Sequence, residues 1–152
     1  MTLTVQNVDW EKAKHTLSRL REKVFVYEWR IPRECEFDQQ DMHAVHVLVL
    51  DKEKQEIATG RLTTRGEIGR VAVVPKFRGP EVYRTLFAAL VDNANRLGLQ
   101  QVYVQCDLEG VEYYKNQGFN PVGPVYMDAG IARQKMACST AEFSLNRVEL
   151  TH

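Results

Sequence analysis

The stretch Ile68-Gly69-Arg70-Val71-Ala72-Val73-Val74-Pro75-Lys76-Phe77-Arg78-Gly79-Pro80-Glu81-Val82-Tyr83-Arg84 decides how this chain folds. Its first seven residues form a short apolar run of strand length. Val74 to Pro80 then reads as a loop. Beyond it, Val82, Leu86, Leu90 and Ala94, flanked by Tyr83, Phe87, Val91 and Leu97, make a wide apolar stripe at helical spacing. Gly98 supplies the glycine expected just past a helix end. The segment is therefore a strand, a turn and a helix.

Working outward toward the N-terminus, Ile57 to Thr63 is a second strand, joined to the first at Arg65-Gly66. Ala44 to Leu50 is a third, apolar enough to be buried on both faces, and Asp51 to Gln55 is a charged turn. Leu3 and Val5 alternate with polar residues and predict a short opening strand. Asp9 offers a helix N-cap, and Trp10, Ala13, Leu17, Leu20 and Val24 follow at spacings of three and four. Pro32 breaks that helix, because it lacks an amide hydrogen and restricts the residue before it. Toward the C-terminus, Val102 to Val104 predicts a short strand, and Gly110 to Gln117 a short helix closed by Gly118. Val122 to Met127 and Ile131 to Cys138 are two further strand-like runs. The order implies an α+β fold, with a mixed, mostly antiparallel sheet of six or seven strands and about four helices.

Composition bounds the function. The 152 residues suit one domain, taken here as residues 1–152. Lys+Arg and Asp+Glu both number 20, so no global field draws the chain to nucleic acid or to an anionic membrane. No segment approaches the roughly 18 apolar residues that a membrane span needs. Cys35, Cys106 and Cys138 are widely spaced, which argues against a disulfide framework and a zinc site and for buried thiols in a cytoplasmic protein. No metal is expected: the acidic set Glu34, Glu36, Asp38 and Asp41 lacks the glycine and terminal Glu of a calcium loop.

The motifs carry a resemblance. Gly60-Arg61-Leu62, then Ile68-Gly69-Arg70-Val71-Ala72-Val73, then Phe77-Arg78-Gly79, is similar to the central motif of GCN5-related N-acetyltransferases (GNAT). Tyr113-Tyr114-Lys115-Asn116-Gln117-Gly118-Phe119 resembles that family's second motif, aromatic-Tyr-x-x-x-Gly-Phe. With Arg21-Glu22-Lys23-Val24-Phe25-Val26, Glu34-Cys35-Glu36-Phe37-Asp38 and Gly130-Ile131-Ala132-Arg133-Gln134-Lys135-Met136, the set resembles the ElaA-like bacterial branch. The likeness runs from about residue 19 to residue 137.

The resemblance implies a site. In the family, backbone amides at a helix N-terminus hold the pyrophosphate of acetyl-CoA, aided by the helix dipole. The preceding strand splays from its neighbour and pairs with the pantetheine arm. Carried over, Val71, Ala72 and Val73 line that arm, and Arg78, Gly79, Pro80, Glu81, Val82, Tyr83 and Arg84 surround the phosphates. Tyr114 protonates the leaving thiolate as general acid, after direct attack by the amine of a small molecule or peptide. Homodimers are common in the family, so a homodimer is a candidate assembly.

The turn departs from the family's Arg-Gly-x-Gly-x-Gly/Ala and keeps only its first glycine. Pro80 removes a donor. Glu81 brings a carboxylate toward the phosphates, where two charges about 4 Å apart repel by about 1 kcal/mol in water and about 4 kcal/mol at an effective dielectric of 20. Tyr83 adds bulk. Pro and Glu are also ordinary helix-start residues, so the same letters describe a plain helix cap. Two other readings therefore stand beside the acetyltransferase. One is a catalytically inactive binding or sensing module; the other is an enzyme similar to acyl-homoserine lactone synthases, which share the Arg-x-x-Val-Phe start.

Individual residues have plainer readings too. Tyr114 alone would be an amphipathic tyrosine packing a helix, with the spacing to Gly118-Phe119 favouring the acid; Tyr113 reads as core. His46 reads as a core histidine rather than a base, and His43 as an exposed one. The acidic set either binds an amine cation or is a solvated loop. Arg61 and Arg70 either meet a substrate carboxylate or pair with acidic neighbours.

Overall fold

The computed structural model describes residues 2–24 and 38–141. Cys35, Glu34, Glu36 and the break expected at Pro32 lie outside the described residues. Among the described residues, seven strands and three α-helices follow in the order β1 (Thr4–Val8), α1 (Trp10–Arg21), β2 (Val45–Leu50), β3 (Glu56–Leu62), β4 (Ile68–Val73), α2 (Pro80–Arg96), β5 (Gln101–Asp107), α3 (Val111–Asn116), β6 (Asn120–Asp128) and β7 (Ile131–Ser139). Short 3₁₀ turns stand at Gln39–Met42, Pro75–Phe77 and Leu108–Gly110. The expected strand at 102–104 extends to seven residues, because Gln101 to Asp107 pair in continuous register with Ser139 to Arg133 of β7.

β2 shows why both faces of the sheet are covered. Side chains alternate along a strand, and Val47 and Val49 enter the core beneath α2 with Leu86, Leu90 and Ala94. Leu48 points the other way, to Leu17 and Leu20 of α1. The apolar run at 44–50 thus serves two helical layers. Gly60 lets α2 approach β3: a Cβ there would lie 2.9 Å from Leu90 Cδ1 and 3.3 Å from Leu86 Cδ1. Asn93 Nδ2 donates to Asn7 Oδ1 at 2.9 Å, tying α2 to β1.

The expected mixed sheet is two antiparallel sheets, β1-β2-β3-β4 and β5-β7-β6. They meet at a single parallel bridge, Glu67 with Tyr103, where the Tyr103 amide donates to Gly66 O at 2.9 Å. Past that bridge, β4 and β5 have no ladder between them, and a wedge opens. A glycine is required at the joint: Gly66 has φ +92, and a Cβ there would meet Gln101 O at 2.8 Å.

Candidate active site

Two helix starts of the same chain are built differently. At α1, Asp9 accepts the Lys12 amide at 2.8 Å, an ordinary N-cap. At α2, the N-cap is Gly79 and no side chain caps the helix. Pro80 occupies the first position, where its missing N–H is harmless. Gly79 is extended (φ −175), a conformation open to any residue, and a Cβ there would meet nothing within 4 Å. The protein's own packing therefore does not demand glycine at this turn; it leaves room beside the positive end of a 17-residue helix.

That room is part of a cavity of about 600 Å³, lined by Val71, Arg78, Gly79, Pro80, Tyr83, Phe87, Tyr113, Tyr114, Asn116 and Gln117. Of the ten residues expected around the coenzyme, Val71, Arg78, Gly79, Pro80 and Tyr83 lie on its wall. The Ala72, Val73 and Val82 side chains are in the core instead, and Glu81 and Arg84 are not on the wall. Arg78 Nε donates to Val73 O at 2.9 Å, folding its guanidinium back onto the end of β4.

Tyr114 is held among Phe87, Tyr113 and Phe119, with ring centroids 6.2, 5.1 and 5.4 Å away. Burial, with smaller contributions from Tyr113, Cys106, Tyr83 and Asp107, pushes its phenol above the ordinary tyrosine value. Tyr113 is half exposed rather than core, since α3 is a short helix whose sheet-facing side is taken by Tyr114.

A second cavity of about 320 Å³ fills the wedge between β4 and β5. Its walls are Ile68, Gly69, Arg70 and Val71 on one side and Val104, Gln105, Cys106 and Asp107 on the other, with Phe87, Gly110, Tyr114 and Arg133. Val71, Phe87 and Tyr114 belong to both cavities. Cys106 is buried, and desolvation followed by Asp107 raises its thiol above the ordinary value.

Behind the wedge lies an ionic cluster that the letters left undecided. Asp41 accepts from Arg21 at 2.7 and 3.2 Å and from Arg61 at 3.0 Å. Asp38 accepts from Arg61 at 2.7 Å and from Arg70 at 3.0 Å. Asp41 is 1% exposed and so is no solvated loop residue, whereas the Asp38 side chain is 31% exposed. Burial raises its carboxyl, but the hydrogen bonds and charges of Arg21 and Arg61 outweigh it and hold the group below the ordinary aspartate value. His46 is a core histidine: its Nε2 lies 2.9 Å from Asp41 O, its ring faces Trp10, and burial lowers its pKa.

Known proteins share this fold. The family model for the acetyltransferase (GNAT) domain matches residues 15–140. The chain belongs to the GNAT family. Its GNAT relatives include a Bacillus subtilis protein named uncharacterized N-acetyltransferase YjcF, 29% identical over 121 residues, covering 77% of this chain and 86% of that one. An acyl-CoA N-acyltransferase from Pseudomonas aeruginosa superposes with a TM-score of 0.79 at 27% identity, over 90% of this chain and 99% of the other. Escherichia coli ElaA shares the fold, with a TM-score of 0.77 at 24% identity and coverage of 90% and 99%. The α+β architecture of two antiparallel sheets is therefore that of GNAT acyltransferases. Among the described residues, no helix is long and apolar enough to cross a membrane.

Proposed function

We propose that this chain transfers an acetyl group from acetyl-CoA to an amine. The observation that carries the reading is the meeting of the two cavities at Tyr114, one opening at an uncapped helix start and one between the splayed strands. The pyrophosphate would lie against the amides at the start of α2, where dipole and N–H groups favour an anion. The thioester would reach past Val71 to Tyr114, and the acceptor would enter the wedge.

The uncharged amine attacks the thioester carbonyl, forming the C–N bond. The C–S bond then breaks, and the thiolate takes the phenolic proton of Tyr114. The protonated product nitrogen gives up its extra proton to restore the phenol, directly or through water. The attack is direct, and no covalent enzyme intermediate is involved.

Tyr83 on the coenzyme wall favours a second reading, a non-catalytic GNAT module. Calorimetric titration with acetyl-CoA at moderate salt separates the two. Micromolar binding is expected. An absence of binding at millimolar acetyl-CoA overturns the acetyltransferase reading and leaves the module.

A further inference from the structure

Arg133 stands on β7, the central strand of its sheet, in register with Asp107 of β5 and Tyr126 of β6. Its side chain is 28% exposed and forms part of the wedge wall beside Arg70, Cys106 and Tyr114. Arg133 Nε is buried and has no hydrogen-bond partner among the described residues. The carboxylate oxygen paired with it, Asp128 Oδ2, is 3.6 Å from Nε, beyond hydrogen-bond range, and belongs to a side chain 63% exposed.

Several nearby side-chain oxygens accept from other donors. Asp107 Oδ1 accepts the Gly110 amide at 2.9 Å, and Gln105 Oε1 accepts the Tyr126 hydroxyl. Asp38 serves Arg70 and Arg61. A desolvated guanidinium N–H without an acceptor is unfavourable, and fixed groups of this kind mark places where something else supplies the acceptor. A guanidinium edge matches a carboxylate through two parallel N–H···O bonds.

We infer that the wedge selects a small amine carrying a carboxylate, an amino acid or a close analogue, whose carboxylate is bound by Arg133. The inference rests on the acetyltransferase reading and narrows its acceptor. A cavity of about 320 Å³ suits a molecule of that size. Because Tyr114 lines the same cavity, a carboxylate anchored at Arg133 leaves the amine facing the shared reaction point. Arg133 is then a specificity residue, acting on substrate position and not on the proton.

The test uses the full chain in the presence of coenzyme A, with arginine Nε–H resonances followed by NMR and the Arg133 signal assigned by its loss in Arg133→Gln. Glycine, L-alanine, L-methionine and L-glutamate are each titrated beside their α-amides. A shift of the Arg133 signal with at least one free acid, and not with its amide, is expected. In parallel acetylation assays the preference for acid over amide should be at least tenfold. It should fall to near unity in Arg133→Gln through the acceptor KM, with the KM for acetyl-CoA unchanged. An Arg133 signal unmoved by every acid, or a preference identical in both proteins, overturns the assignment. Failure of acetyl-CoA itself to bind overturns the underlying acetyltransferase reading.

Discussion

Asp38 and Arg70 are 32 residues apart in sequence, yet Arg70 Nη2 donates to Asp38 Oδ2 at 3.0 Å. Arg70 also sits at φ +49, a left-handed conformation that costs a non-glycine residue about 1–2 kcal/mol. It follows Gly69 in β4, where the pairing with β3 slips between Thr59 and Arg61. The ion pair and the bulge are two views of one feature. The slip turns Arg70 toward Asp38, and Asp38, anchored on Arg61, holds the slipped segment in place. Gly69, Arg70 and Val71 all face the wedge.

A partly exposed pair of this kind contributes little to stability. Asp38 also accepts from the buried Arg61 at 2.7 Å, so Asp38→Asn should destabilise the fold by roughly 1–3 kcal/mol while lowering kcat about tenfold or more. Arg70→Gly should remove the backbone cost and the pair together, giving a fold at least as stable with a similarly reduced kcat. Unchanged kcat in both variants would show that the bulge does not position the reaction.

Asp41 should behave differently, since it is buried against two guanidinium groups. Removing one member of a buried ionic set leaves uncompensated charge, and Asp41→Ala should destabilise the fold by about 3–5 kcal/mol in urea denaturation. A loss below about 1 kcal/mol would mean that Arg21 and Arg61 find water or other acceptors.

The same cluster sets the acid limb of stability. His46 has a lowered folded pKa, so its contribution is complete above its ordinary value near 6.5 and is lost as pH falls below it. Asp41, also lowered, contributes above the ordinary aspartate value near 4 and loses that contribution at still lower pH. Unfolding free energy should thus decline in two stages on acidification. His46→Gln should remove the first stage and leave the second. A profile without slope between pH 6.5 and 5 in the parent protein would contradict this.

Tyr114→Phe should keep the packing against Phe87 and Phe119 and remove only the proton. Turnover is expected to fall about 10²- to 10⁴-fold, with acetyl-CoA affinity within a factor of three measured by calorimetry. A loss smaller than tenfold would assign the proton to water.

Tyr83 and Glu81 make separable predictions because, of the two, only Tyr83 lines the larger cavity. Tyr83→Ala should tighten acetyl-CoA binding about tenfold, equivalent to about 1.4 kcal/mol. Glu81→Gln should change it less than threefold. The reverse order would mean that charge, and not bulk, limits this turn.

Features that depend on neighbours along the chain were legible in the letters. The alternation and helical spacings located β2, α1 and α2, and Asp9 and Gly98 marked helix ends. The ordered motifs from Gly60 to Phe119 announced the GNAT family, because local propensity and short-range geometry are written in local letters. Tertiary structure alone decided which charges meet. Nothing in the letters distinguishes a solvated acid from Asp41, whose partners come from α1 and β3, or Glu81 off the cavity wall from Tyr83 on it. Nor could they show that Arg133, like Arg61, keeps a buried Nε without a hydrogen-bond partner among the described residues. Burial and pairing of charge depend on desolvation by distant segments, and only the packed chain brings those segments together.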